Sequence, residues 1–154
     1  MDKYITSGGA TIKINIKEKN FEDIVNDEFF YAYIPDVKIS NNVQNSYDAE
    51  IKIIESLIDN IEFNYPIIIF KSKKMNTKDV ISLIEFVFER ARQEKGIICI
   101  HGASAIVSNK AIICWGPATG MGKTTLALEL SKKGYFYSDE KVLIDLNNIT
   151  TIGG

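Results

Sequence analysis

Histidine and tryptophan occur once each in the 154 residues, cysteine twice and proline three times. One histidine and two cysteines do not suggest a zinc site. Cys99 and Cys114 both fall in apolar runs, where buried, reduced thiols are expected. No apolar run approaches the ~20 residues that span a bilayer, and Met1-Asp2-Lys3-Tyr4-Ile5 has no apolar leader segment. The sequence therefore reads as cytoplasmic, with no membrane partner. Formal charge is -2, and the one short basic run, Lys71-Ser72-Lys73-Lys74, reads as a solvated loop. Nucleic acid is not an expected partner. Repeats and low-complexity segments are lacking too. What remains, 45% hydrophobic and 25% charged residues, is ordinary for a globular chain long enough to bury one proper core.

Against that background one segment stands out, Gly120-Met121-Gly122-Lys123-Thr124-Thr125. It follows the apolar run Ile112-Ile113-Cys114-Trp115, which suits a strand buried on both faces. Gly116, Pro117, Gly120 and Gly122 form a turn region whose glycines let phosphate oxygens approach backbone N–H groups. From Lys123 the pattern is helical: Leu126, Ala127 and Leu130 share a face, and Gly134 is placed to stop the helix in the left-handed conformation. A Gly-x-Gly-Lys-Thr core between strand and helix is a polyphosphate grip, or P-loop (Walker A). The helix dipole favours an anion, Lys123 neutralises β/γ-phosphate charge, and the Thr124 hydroxyl suits a phosphate-bound Mg²⁺. The usual spacing puts four residues between the first glycine and Gly-Lys-Thr; here Gly116 lies one position further back, so the loop carries one extra residue.

Along the rest of the chain, Ile12, Ile14 and Ile16 alternate with polar residues as in a half-buried strand, and Gly8-Gly9 can turn a hairpin from Tyr4-Ile5-Thr6. Phe29 to Ile34 and Glu50 to Ile54 read as further strands, Ser40-Asn41-Asn42 and Asn45-Ser46 as loop. Pro66 opens the strand-like run Ile67 to Phe70. A helix is expected over Lys78 to Lys95, capped by Asn76 or Thr77, with Asp79 in its first turn and Gly96 at its end. Its apolar face is Val80, Leu83, Ile84, Val87 and Ala91, widened by Ile81, Phe86 and Phe88. Ile97 to Ile100 is another buried-type strand, continued through His101 to Val107. Asn109-Lys110 turns into the loop strand. Composition divides the chain near residue 75 into a strand-rich region, 1–75, and a P-loop nucleotide-binding core, 76–154, within a length that also suits one compact domain.

Phosphoryl transfer also needs a group to position or deprotonate the attacking oxygen. Asp139 and Glu140 follow the aromatic run Tyr135-Phe136-Tyr137, and a strand beside the loop strand would bring them to the phosphates. Asp145, ending Val142-Leu143-Ile144, is the rival. His101 at a strand end is either structural or catalytic, and Ser104 and Ser138 are either turn residues or phosphate contacts.

Taken in order, Ile100-His101-Gly102, the glycine loop, Lys133-Gly134-Tyr135 and Ser138-Asp139-Glu140 resemble the catalytic core of the HPr kinase/phosphorylase family over roughly residues 96 to 146. That family belongs with phosphoenolpyruvate carboxykinase, whose loop also reads Gly-x-Gly-Lys-Thr-Thr. The resemblance implies an α/β fold, a P-loop-containing mixed sheet of the HPr kinase/phosphoenolpyruvate carboxykinase type. It implies ATP and Mg²⁺ as cofactors. Asp139 takes the place of the base, Glu140 that of a second acid near the metal, and His101 that of the active-site histidine. The implied catalytic set is Asp139, His101 and Lys123. ATP contacts fall on Gly116, Thr119, Gly120, Met121, Gly122, Lys123, Thr124 and Thr125, and metal ligands on Thr124, Asp139 and Glu140. The implied function moves the γ-phosphoryl of Mg-ATP to a hydroxyl of a protein serine or a small molecule. A homo-oligomer is compatible with this reading. A non-catalytic nucleotide-binding regulatory or assembly module and a simple ATPase are the alternatives. Family members continue past the point where this chain stops in a β-like stretch, which reads as a fragment or a reduced form of the fold.

Overall fold

The computed structural model describes residues 1–41 and 46–152. It is mixed α/β with two sheets and more strand than helix. It divides into two compact units, Met1–Lys95 and Gly96–Gly154. Among the described residues no helix is long and apolar enough to cross a membrane.

In the first unit β1 (Asp2–Ser7) and β2 (Ala10–Asn15) form a hairpin. Gly8 and Gly9 between them have φ of 53° and 77°, the two positive values a type I′ turn requires. Ile12 and Ile14 are fully buried, as their alternation implies. There follow α1 (Glu18–Val25), α2 (Glu28–Tyr33), β3 (Lys38–Ser40), β4 (Ala49–Glu55), β5 (Asn60–Asn64), β6 (Ile67–Ser72) and α3 (Thr77–Glu94). The sheet order is β3-β1-β2-β4-β6-β5, with β2, β4 and β6 parallel. The helices enclose a core built from Ile5, Ile14, Phe30, Ile51, Ile84 and Phe88.

Several local expectations are corrected here. Phe29 to Ile34 is not a strand, since α2 occupies it. Asp27 caps that helix by accepting a hydrogen bond from Phe29 N at 2.9 Å. Phe30 and Ile34, the fully buried pair, are four residues apart, which is helical and not strand spacing. Ser40 ends β3, Asn41 and Ser46 carry no regular structure, and Asn42 and Asn45 lie outside the described residues. Lys71 belongs to β6, not to a loop.

Helix α3 has Asn76 as its cap, the side chain accepting from Lys78 N at 3.1 Å, and Gly96 follows its end at φ 74°. The expected apolar face is buried except for Phe86, which is 58% exposed and lies edge-on to Phe63 at 5.2 Å. Phe86 sits roughly 120° round the helix from the Val80–Ile84–Val87–Ala91 stripe. Because α3 packs on α1, α2, β2 and β4, the structural division falls after Lys95; residue 75 lies inside the first unit.

The second unit runs β7 (Ile97–Val107), β8 (Lys110–Trp115), α4 (Lys123–Ser131), β9 (Gly134–Ser138), β10 (Lys141–Asp145) and β11 (Thr150–Ile152). β7 is its axis. β8 and β9 both pair antiparallel with the same end of β7, and therefore on opposite sides, while β10 pairs with Ile97–His101. Ser138 opposes Ser104 and Lys141 opposes His101, so β9 and β10 share direction and register. They form one strand path broken at Asp139-Glu140. The acidic pair therefore follows a strand that borders β7, one removed from the loop strand.

β8 is an edge strand, not one buried on both faces. Ile112 and Trp115 are exposed, and Cys114 is buried. Burial raises the Cys114 thiol pKa, and Cys99 is only half-buried. Ala127 of α4 packs on Ala103 and Cys114 with Leu130 beside it, while Leu126 points outward. Gly134 does not end α4 in a left-handed conformation. It opens β9 opposite Val107, where a Cβ would stand 1.8 Å from the Ile106 carbonyl oxygen.

Gly134→Ala therefore has to push β9 off β7. It is expected to lower stability by about 1–3 kcal/mol, seen as a lower thermal midpoint. An unchanged midpoint would contradict this close approach.

Candidate phosphate-loop site

The loop 116–122 leaves the exposed end of β8 and delivers the chain into α4. Gly120 and Gly122 have φ of 81° and 83°, and a Cβ built on either would meet no atom within 4 Å. These two positions thus combine a backbone that L side chains resist with open space in front of it. Gly122 is also the N-cap of α4 and offers no side chain, so the first-turn N–H groups of Lys123, Thr124 and Thr125 remain for an anion. The helix closes its first bond from Leu126 N to Gly122 O at 2.8 Å. Lys123 Nζ donates to the Ala118 carbonyl at 2.9 Å, holding the ammonium over the extended loop.

Beyond the loop, the break between β9 and β10 supplies the acids. Glu140 has φ 68°, a left-handed conformation that turns the path out of the sheet and back. Three hydrogen bonds brace it: Lys141 N to Asp139 O at 2.8 Å, Gly102 N to Glu140 O at 3.0 Å, and Ser138 Oγ to Lys141 O at 2.5 Å. Asp139 is thereby aimed at the start of α4, where Thr124 Oγ1 donates to its Oδ1 at 2.9 Å. Glu140 Oε2 lies 3.6 Å from His101 Nδ1, an ion pair when the imidazole is protonated.

Loop, helix start and acids line one open cavity of about 280 Å³. Its wall is Thr119, Gly120 and Gly122 from the loop, Lys123, Thr124 and Thr125 from α4, Asp139 and Glu140 from the strand break, and His101 from β7. All nine belong to the set expected from the sequence. Gly116 and Met121 do not line the cavity; Met121 is 60% exposed, and its Sδ would stand 3.2 Å from a Cβ at Gly116. Ser104 is buried within β7, its hydroxyl without a hydrogen-bond partner among the described residues, and Ser138 serves the strand break. The Ala118 carbonyl and the left-handed Glu140 had no sequence signal, since one is backbone and the other a conformation that glutamate rarely adopts.

Asp145 is placed elsewhere. It opposes Ile97 at the far end of β10, four positions from the Lys141–His101 pair, roughly 13 Å along the strand. Its carboxylate accepts from Asn147 N at 2.8 Å and Asn148 Nδ2 at 2.7 Å, and these bonds, Asn148 first, hold its pKa below the ordinary aspartate value. It ends β10 as a turn-forming acid.

Two outcomes follow. The lowered Asp145 pKa stabilises the fold above the unfolded-state aspartate value of about 3.9, and that stabilisation is lost as pH falls through the folded pKa. The melting gap between wild type and Asp145→Ala should therefore be widest near neutrality and close on acidification; a gap independent of pH would contradict it. Glu140→Gly relieves the left-handed strain and is expected to raise stability by up to about 1 kcal/mol, whereas a lower thermal midpoint would show that the Glu140 side chain stabilises the break. No family model, curated protein or solved structure matches this chain.

Proposed function

We propose that the second unit binds the phosphates of Mg-ATP and that the chain is an HPr-kinase-like phosphotransferase, with the P-loop mixed sheet which that likeness implies. The observation that carries this reading is the meeting of Lys123, Thr124 and Asp139 at one cavity, with Thr124 and Asp139 in direct contact. The cavity fits the group. The glycine positions leave room for phosphate oxygens, the helix start supplies amide donors, and a hydroxyl beside a carboxylate is the hard oxygen donor set that Mg²⁺ prefers.

When bound, Mg²⁺ supplies charge neutralisation at the phosphate oxygens. Thr119, Gly120 and Gly122 shape the nest around the phosphates, and Lys123 places its ammonium against their β/γ charge. Thr124, Asp139 and Glu140 provide the metal-side oxygens. Asp139 Oδ1 is engaged by Thr124, and Oδ2 has no hydrogen-bond partner among the described residues. Oδ2 is the atom that takes the proton from an acceptor hydroxyl, making Asp139 the general base. His101, 56% exposed beside Glu140, is positioned at the rim to orient that acceptor.

Lys123→Ala is expected to weaken Mg-ATP binding by about 10- to 100-fold. Asp139→Asn should bind within a few-fold of wild type, yet lose about 10²- to 10⁴-fold in turnover. Calorimetry with Mg-ATP and release of labelled phosphate or ADP check both. Normal turnover by Asp139→Asn would overturn the base assignment. Binding by wild type with neither phosphoryl transfer nor ADP release would favour a non-catalytic nucleotide-binding module, and ADP release without an added acceptor would identify water as the acceptor.

A further inference from the structure

The two edges of the first sheet are built differently. At one edge β3 is three residues long and carries Lys38, whose side chain is 76% exposed; shortness and an edge lysine both discourage pairing. At the other edge β5 is five residues long, Asn60-Ile61-Glu62-Phe63-Asn64, with neither lysine nor proline. Among the described residues it pairs with β6 on one side and with no strand on the other. Ile61 and Phe63 are 52% and 42% exposed, with Phe86 of α3 against Phe63. Leu57 and Ile58, in the connection entering β5, are 91% and 60% exposed. An open backbone edge flanked by five exposed apolar side chains is the arrangement that sheet proteins normally suppress.

We propose that β5 is a homodimer interface, where a second copy of this chain adds its own β5 antiparallel across a two-fold axis through Glu62. The sequence of β5 is self-complementary in that register. Ile61 of each copy falls opposite Phe63 of the other, on the face that carries Phe86, giving two aliphatic–aromatic cross-strand pairs. Asn60 falls opposite Asn64. Glu62 meets its symmetry mate on the other face, where each carboxylate is already ion-paired with Lys71 of β6. The charges across the axis form a Lys–Glu–Glu–Lys row with no net charge, which removes the one repulsion the symmetry creates. The two six-stranded sheets become one.

The full chain should show a concentration-dependent monomer–dimer equilibrium in sedimentation velocity between about 1 μM and 1 mM. Ile61→Lys should raise the dimer dissociation constant at least about 30-fold. Glu62→Cys provides a check that does not depend on affinity. Directly opposed strand residues have Cα atoms about 4.5–5.5 Å apart, within disulfide reach. Oxidised Glu62→Cys should therefore run as a covalent dimer on a non-reducing gel. Asn60→Cys, whose two copies would lie roughly 13 Å apart, should not, and neither should wild type. A monomer at every concentration, an unchanged equilibrium in Ile61→Lys, or equal cross-linking of Asn60→Cys and Glu62→Cys would each overturn the proposal.

Discussion

The 2.9 Å hydrogen bond between Thr124 and Asp139 ties together the two halves of the candidate site. One partner stands in the first turn of a helix, the other at a break in a strand path, and they are fifteen residues apart in sequence. Their meeting depends on the glycine loop releasing α4 at Gly122 and on Glu140 adopting a left-handed backbone, so that the acidic pair leaves the sheet plane instead of alternating into it. A residue held in that conformation carries strain of order 1–2 kcal/mol. Here three local hydrogen bonds and the register on β7 impose it. Strand breaks of this kind commonly re-aim a side chain beside an active site.

The surrounding unit is spare. α4 buries little beyond Ala127 and Leu130 against β7 and β8, and Gly134 has no side chain because β9 presses directly on the Ile106 carbonyl. The first unit is the opposite case, with a large aliphatic core behind a six-stranded sheet. The side chains proposed to carry phosphate chemistry therefore sit on the unit with the smaller core, near its surface. Exposure of His101 and Glu140 leaves the rim of the cavity accessible, as the proposed transfer to a hydroxyl acceptor requires.

Much of this was legible in the residues themselves. The Ile12–Ile14 alternation, the Gly8-Gly9 turn and the cap and apolar stripe of α3 are local signals, and local physics decides them. The cavity was legible because glycine, lysine, threonine and acid in a particular order are what a phosphate site requires, and eight of the nine residues lining it are of those types, His101 being the exception. What escaped depends on context. The aromatic stretch Phe29 to Ile34 suits a strand by propensity, but Asp27 and the Phe30–Ile34 burial make it a helix. The run Ile112 to Trp115 is apolar enough for a central strand, yet its place at the sheet edge follows from pairings far along the chain. β5 is the exception: Asn60-Ile61-Glu62-Phe63-Asn64 alternates polar and apolar residues with the period of a strand, so its signal was local.

The central claim, that the glycine loop and the Asp139-Glu140 break are two sides of one metal–nucleotide site, is tested most directly by paramagnetic broadening of backbone amide resonances with Mn²⁺-ADP. Mn²⁺ bound in that site should broaden Thr124 and Thr125 together with Asp139 and Glu140, while Asp145 broadens less. Broadening confined to the start of α4, or centred on residues outside this cavity, would separate the loop from the acids and contradict the claim.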